Sequence, residues 1–253
     1  MKTWNSVKIT GGVVVAALFV AVQAQAIIAF DFPQLSGNQN YSGALSLGEL
    51  FTVNSPVNIN ALAAYDDPAN GSGVFGGNVQ VAIYQVNLSG NTIIGGTLVV
   101  NPLTFSTADP GTLLAGTTTR EQSLSSPVQL GAGTYMIVAN HYGGSSGTEN
   151  NWNRNTYVGS PVPTANTDGG VVGYGANYYS FGNLAWGSTL PTGSWVYDSV
   201  NNPANDWHPR YMAGNFDFTP VPEVAAFGAA GVGLLGLVYI GRYARLRRKM
   251  KLA

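Results

Sequence analysis

The last 35 residues, Thr219 to Ala253, set the strongest limit on this chain. Val224 to Gly241 is an unbroken run of uncharged residues, and Arg242, Arg245, Arg247, Arg248, Lys249 and Lys251 follow it. At 1.5 Å per residue, a helix over this run is roughly 27 Å long, just enough to cross the hydrocarbon layer of a bilayer. Glycines at 228, 231, 233 and 236 would weaken a soluble helix but are common in membrane helices. The basic cluster resists translocation, so the run predicts one transmembrane helix over 224–241 with its 242–253 tail facing the cytoplasm as a stop-transfer signal. A buried core helix rarely abuts such a cluster. Any globular domain therefore has to form upstream of residue 219.

Immediately ahead of the run stand Thr219-Pro-Val-Pro-Glu-Val224. A Pro-Glu boundary, one short Gly/Leu-rich helix and a terminal arginine cluster, in that order, resemble the PEP-CTERM sorting signal of Gram-negative bacteria. The resemblance implies an exosortase-type protease as processing partner. It also implies that Pro222, Glu223 and Val224 form the sorting motif, with Val224 standing where the family has proline. It covers residues 219–253 and concerns sorting, not cargo.

At the other end, Lys2 and Lys8 precede an apolar run from Val13 to Val22, followed by Ala24-Gln25-Ala26. A positive start, a short apolar run and a small-x-small site read as a secretory signal peptide over 1–26. Ten apolar residues are short for a membrane span. Cleavage after Ala26 makes Ile27 the mature N-terminus, and residues 27–218 become the exported domain.

Charge has to be counted on that domain alone. It holds Arg120, Arg154 and Arg210 against eleven acids, a net of −8, and no lysine. Such a surface repels phosphate backbones, which excludes nucleic acid as a partner. No cysteine occurs anywhere, so disulfides, thiolate metal sites and a cysteine nucleophile are excluded together. An exported domain without disulfides depends on its own core, and nearly 200 residues are enough to bury one.

Between 27 and 218 no segment sustains helical periodicity. Leu50-Phe-Thr-Val-Asn and Val57-Asn-Ile-Asn-Ala alternate apolar and polar residues, as half-buried strands do. Val79, Val81 and Ile83 fall on one face of a third strand, with a turn at Leu88-Ser-Gly-Asn before Thr92-Ile-Ile. Ser126-Pro-Val-Gln-Leu and Thr134-Tyr-Met-Ile-Val-Ala flank Gly131-Ala-Gly133, which predicts a hairpin. The second of these strands is apolar on both faces, as in a central strand. Asn215-Phe-Asp-Phe closes the domain with Phe216 and Phe218 inward. Many short strands between Gly/Pro/Asn turns predict an all-β domain, an antiparallel two-sheet sandwich of jelly-roll or immunoglobulin-like type. The ordered set Phe51-Thr-Val, Ile59-Asn-Ala-Leu, Tyr65-Asp66, Val79 to Tyr84, Ser126 to Tyr135, Tyr157-Val-Gly and Gly214 to Phe218 is similar to PEP-CTERM ectodomains. Those resemble β-sandwiches of unassigned function, so the similarity implies one domain and no activity.

Residues 143–209 are rich in Gly, Asn, Ser and Thr yet hold Trp152, Trp186, Trp195 and Trp207. A structureless loop of that length is improbable in a compact domain. Short strands are expected around Gly170-Val-Val-Gly-Tyr and Ser194-Trp-Val-Tyr. Exposed rings beside Asn and Asp would suit a sugar-binding surface; rings that fill the core and pack loops are the ordinary alternative. Asp66-Asp67-Pro-Ala-Asn70 offers oxygens for Ca²⁺, but Asp and Asn are equally ordinary turn residues. As a glycosidase pair, Asp66 and Asp67 are poorly placed, since adjacent strand residues point apart. His141 and His208 are the only histidines. No Gly-x-Ser-x-Gly elbow accompanies them, and no glycine loop precedes a helix to cradle a nucleotide.

These residues lead to an exported cell-envelope or extracellular-matrix protein, structural or adhesive, without enzymatic activity or cofactor. It is anchored in the inner membrane before processing and lies at the cell surface or in the matrix afterwards. The alternative is a secreted carbohydrate-binding module or weak enzyme acting on extracellular polysaccharide. An exposed aromatic platform beside paired carboxylates would favour that alternative, and buried rings the structural role.

Overall fold

The computed structural model describes residues 25–32, 43–67, 75, 77–143, 152–153, 164–192, 194–197 and 211–222. Residues 1–24 of the expected signal peptide, the helix expected over 224–241 and the basic tail lie outside them. Among the described residues no helix is long and apolar enough to cross a membrane. Apart from one 3-10 turn at Asp168–Gly170, all regular structure there is β.

The strands are β1 (Ile27–Ile28), β2 (Phe30–Asp31), β3 (Leu45–Val53), β4 (Val57–Tyr65), β5 (Val79–Ser89) and β6 (Thr92–Phe105). Next come β7 (Thr112–Leu113), β8 (Thr119–Leu130), β9 (Gly133–Tyr142), β10 (Trp152–Asn153) and β11 (Thr164–Ala165). The last four are β12 (Val172–Phe181), β13 (Val196–Tyr197), β14 (Tyr211–Met212) and β15 (Gly214–Pro220). One sheet runs β1-β15-β4-β8-β7 and the other β13-β12-β3-β9-β5-β6, with short pairs β10-β14 and β11-β2 beside them. Every one of these pairings is antiparallel.

The two large sheets pack face to face because their period-two patterns each present one apolar face. Phe51 of β3 meets Phe216 of β15 with ring centroids 4.6 Å apart. Around them Val57, Ile59, Leu62, Val79, Val81, Ile83, Ile137 and Phe218 are buried in one continuous cluster. The Tyr142 hydroxyl donates to the Tyr65 carbonyl at 2.8 Å, tying β9 to β4 across the core. The expected inward faces of Val79, Val81 and Ile83, and of Phe216 and Phe218, are therefore observed.

The six-stranded sheet has a second apolar layer on its outer side. Leu50, Ala82, Tyr84, Val86, Ile93, Met136, Val138, Tyr178 and Leu190 are buried there, with Leu184, Trp186, Trp195 and Tyr197 packed against them. This explains why β9 is apolar on both faces: it lies between β3 and β5 with a core on either side. The cover is the segment 182–197. It docks on β6 through Leu98 N–H to Ser188 O at 2.9 Å and Leu190 N–H to Gly96 O at 2.9 Å.

The expected hairpin at Gly131–Gly133 is corrected. β8 and β9 belong to different sheets, so the chain crosses the sandwich there. Leu130 pairs with Val57 and Gly133 with Val53, so the 53–57 and 130–133 crossings lie side by side. The reason is burial: β9 needs apolar neighbours on both faces, and the exposed Ser125, Ser126 and Pro127 side of β8 cannot supply them. A hairpin does form at Ser89–Thr92, where Gly90 takes φ 58°. The strands expected near 170 and 194 are β12 and β13, and β12 extends through ten residues.

Candidate functional site

The two chain ends are brought together. Ile27 pairs with Phe218 and Ile28 with Asp217, which places β1 on the edge of the sheet beside β15. Val221 N–H donates to Pro56 O at 2.9 Å, so the chain stays fixed to the domain until Pro222, which is exposed. Ala26 is also exposed. Gln25, Ala26, Ile27, Ile28, Asn166, Asp168 and Pro220 line one open hollow of about 540 Å³. Of the residues proposed from sequence for processing, Ala26 and Pro222 thus emerge at the same end. Ala24, Glu223, Val224 and the cations Arg242, Arg245, Arg247, Arg248, Lys249 and Lys251 lie outside the described residues.

Two carboxylates interact on the five-stranded sheet, Asp217 on β15 beside β1 and Glu121 on β8. Asp217 accepts a hydrogen bond from Asn60 Nδ2 at 3.2 Å and another from the Ile27 backbone N–H. Burial raises its pKa, and the two hydrogen bonds oppose that rise. Glu121, opposite Ala63 on β4, is raised by burial first and by the charge of Asp217 second. Nothing in the sequence pattern joins these two acids, which are 96 positions apart; only the β15-β4-β8 order does so.

The Asp66-Asp67 pair is buried rather than displayed. Asp66, just past the end of β4, forms an ion pair with Arg120 Nε of β8. Asn70 lies outside the described residues. Among the described residues, no group of three or more His, Asp or Glu side chains converges as a metal site would require. His141 sits at the end of β9 with φ 69°. Its Nδ1 is 3.3 Å from Asn183 Nδ2, and partial burial lowers its pKa. His208 is outside the described residues.

Trp186 and Trp195 are half-buried parts of the cover over the second apolar layer. Trp186 stacks parallel to Tyr84, centroids 6.3 Å apart, and its indole N–H donates to Gln80 Oε1 at 2.5 Å. Tyr84 in turn donates to Gly187 O at 3.1 Å. Tyr178 packs edge-on to Tyr197 and donates to Asn91 O at 3.0 Å. Its pKa is pushed up to about 12, by burial first and then by Tyr197. These rings bind the chain to itself. Trp207 lies outside the described residues, as does the Trp152 side chain.

Sequence reasoning passed over two buried asparagines that organise this architecture. Asn140 Oδ1 accepts from Ser46 Oγ at 2.9 Å, His141 N at 2.9 Å and Leu184 N at 3.1 Å, while Nδ2 donates to Leu184 O at 2.6 Å. Asn215 Oδ1 accepts from Phe30 N at 3.0 Å and its Nδ2 donates to Phe30 O at 2.6 Å. The first pins the cover segment and the second pins β2. An asparagine inside an apolar run is the only available signal, and it is a weak one.

Comparison with protein-family models, with curated proteins and with solved structures yields no match.

Proposed function

We propose that this chain is an exported structural or adhesive protein of the cell envelope or extracellular matrix. It is held in the inner membrane by its C-terminal segment until an exosortase-type protease acts at Pro222-Glu223-Val224. The observation that carries this reading is the convergence of Ala26 and Pro222 at one end of the domain. A chain with a signal peptide before Ile27 and an anchor after Pro222 must meet the same membrane face twice. A domain with both exits at one end can do so without unfolding.

The strand order supports a jelly roll within the sandwich class. β1-β15-β4-β8 and β3-β9-β5-β6 form its two four-stranded sheets, with β12 and β13 added beside β3. That architecture hosts many functions and assigns none. The polysaccharide reading required an exposed ring platform. Trp186 and Trp195 are spent on packing, which supports the structural role.

Two full-length variants in an exosortase-positive Gram-negative host separate anchor from cleavage signal. Neutralising Arg245, Arg247, Arg248 and Lys249 removes an insertion barrier of about 2.5–3.5 kcal/mol per cation. It should release some uncut chains into the periplasm. Changing Pro222 and Glu223 to Ala should leave the anchor in place and accumulate the uncut form in the inner membrane. If that second variant is processed like the wild type, by mass and by membrane fractionation, the sorting assignment fails.

A further inference from the structure

We propose that cleavage after Ala26 arms a structural lock, in which the new α-ammonium group of Ile27 pairs with the Asp217 carboxylate and fastens β1 to β15. This inference rests on the signal-peptide reading of residues 1–26. Hydrolysis of the Ala26–Ile27 bond by the host's signal peptidase consumes one water. The Ala26 carboxylate departs with the leader, and the Ile27 nitrogen, once an amide, becomes an amine that takes up a proton near neutral pH. The cation therefore appears on the very atom that already hydrogen-bonds Asp217.

Three observations converge on this point. The register sets β1 against β15, with Ile28 opposite Asp217, so the nitrogen is held beside the carboxylate by two strands. The acids near it are Asp217 from β15 and Asp168 from the 3-10 turn lining the hollow; β4 contributes the neutral Asn60, and Glu121 on β8 acts on Asp217 by its charge. The Asp217 carboxylate is partly desolvated, and beside such a group a single added cation has the most effect. Departure of Gln25 and Ala26, which line the hollow, also opens the space around the new terminus.

The pH dependence has a definite sign. Burial raises the folded pKa of both Asp217 and Glu121. In the uncleaved chain their stabilising contribution is therefore present at low pH and is lost as pH rises through the carboxyl range. The ammonium offsets that loss in the mature form until it deprotonates at alkaline pH.

Composition supplies a clean probe. The only lysines are Lys2, Lys8, Lys249 and Lys251, so the N-terminal peptide of the mature protein contains one amine. The exported full-chain product is purified, and intact mass fixes its first residue. It is then acylated with acetic anhydride at pH 7, alongside Asp217→Asn. Pairing that raises the amine pKa by one unit slows wild-type acylation about tenfold relative to Asp217→Asn. Acylated wild type should melt at lower temperature than the unmodified protein, and the difference should vanish below the carboxyl range. The melting temperature of Asp217→Asn should not respond to acylation. A start at Ile27 with equal acylation rates and no change in melting overturns the lock and leaves the cleavage reading standing. A start elsewhere overturns both, and the mass alone tells the two failures apart.

Discussion

Replacing Asn140 with Ala should detach the cover of the second apolar layer while leaving the inter-sheet core in place. Asn140 is fully buried and makes four hydrogen bonds. Two of its partners keep another: Ser46 Oγ still reaches Gly182 O at 3.0 Å, and Leu184 N still reaches Ser46 Oγ at 2.9 Å. The Leu184 carbonyl and the His141 N–H lose the bond that Asn140 gave them. A buried polar group left bare costs about 1–3 kcal/mol. Both groups are only half-buried, so the expected loss is about 1–3 kcal/mol, still a sizeable share of a typical domain's 5–15 kcal/mol. Urea unfolding of the full chain measures the loss, with exposed Gln129→Ala as a control expected within about 0.5 kcal/mol. Brief chymotrypsin digestion reports the mechanism, because Trp186 becomes cleavable only when 182–197 lifts from the sheet. A loss no larger than the control's, or unchanged protection of Trp186, would refute the claim that Asn140 pins the cover.

In the inter-sheet core, Phe216→Ala removes a fully buried ring that contacts Phe30, Phe51 and Phe218. It should cost about 3–5 kcal/mol by chemical denaturation, whereas Phe181→Ala, at a ring 59% exposed, should stay within about 0.5 kcal/mol. Arg120→Leu leaves the Asp66 carboxylate buried opposite an apolar chain, and a loss of about 3–5 kcal/mol is expected. Gly143 takes φ +138°, and a Cβ there would lie 1.9 Å from the Gly43 carbonyl oxygen. Gly143→Ala should therefore lower thermal stability by at least about 2 kcal/mol through strain and displaced backbone.

What the sequence disclosed follows the range over which each signal acts. Alternation is local, so the faces of Val79, Val81, Ile83, Phe216 and Phe218 were legible before any fold was known. The double-sided apolar character of 134–139 marked β9 as central for the same reason. Turn chemistry also acts locally, but it cannot tell a return within a sheet from a crossing between sheets. Gly131-Ala-Gly133 therefore reads as a hairpin, whereas the chain crosses between sheets there. Polar contacts across the fold were out of reach altogether. Gln80, a polar residue between Val79 and Val81 on β5, accepts the Trp186 indole N–H from 106 positions away. Asp217 interacts with both the Ile27 nitrogen and Glu121 only because β15 lies beside β1 on one side and beside β4, which carries β8, on the other.

The place of β15 also governs the order in which the molecule can assemble. It lies between β1 and β4, so the five-stranded sheet has a gap at its second position until residues 214–220 arrive. β1 has no neighbour in that sheet before then, although it is the first strand made. β3 likewise waits for β9 and β12 on its two sides. Among the long strands, only the β5-β6 hairpin can close from adjacent chain. Such non-local pairing makes folding slow, because distant segments must be brought together before their contacts reward the loss of chain freedom. A chain made from its N-terminus therefore leaves this sheet open until residues 214–220 are present. It closes in a late step, when the last strand slots between the first and the fourth.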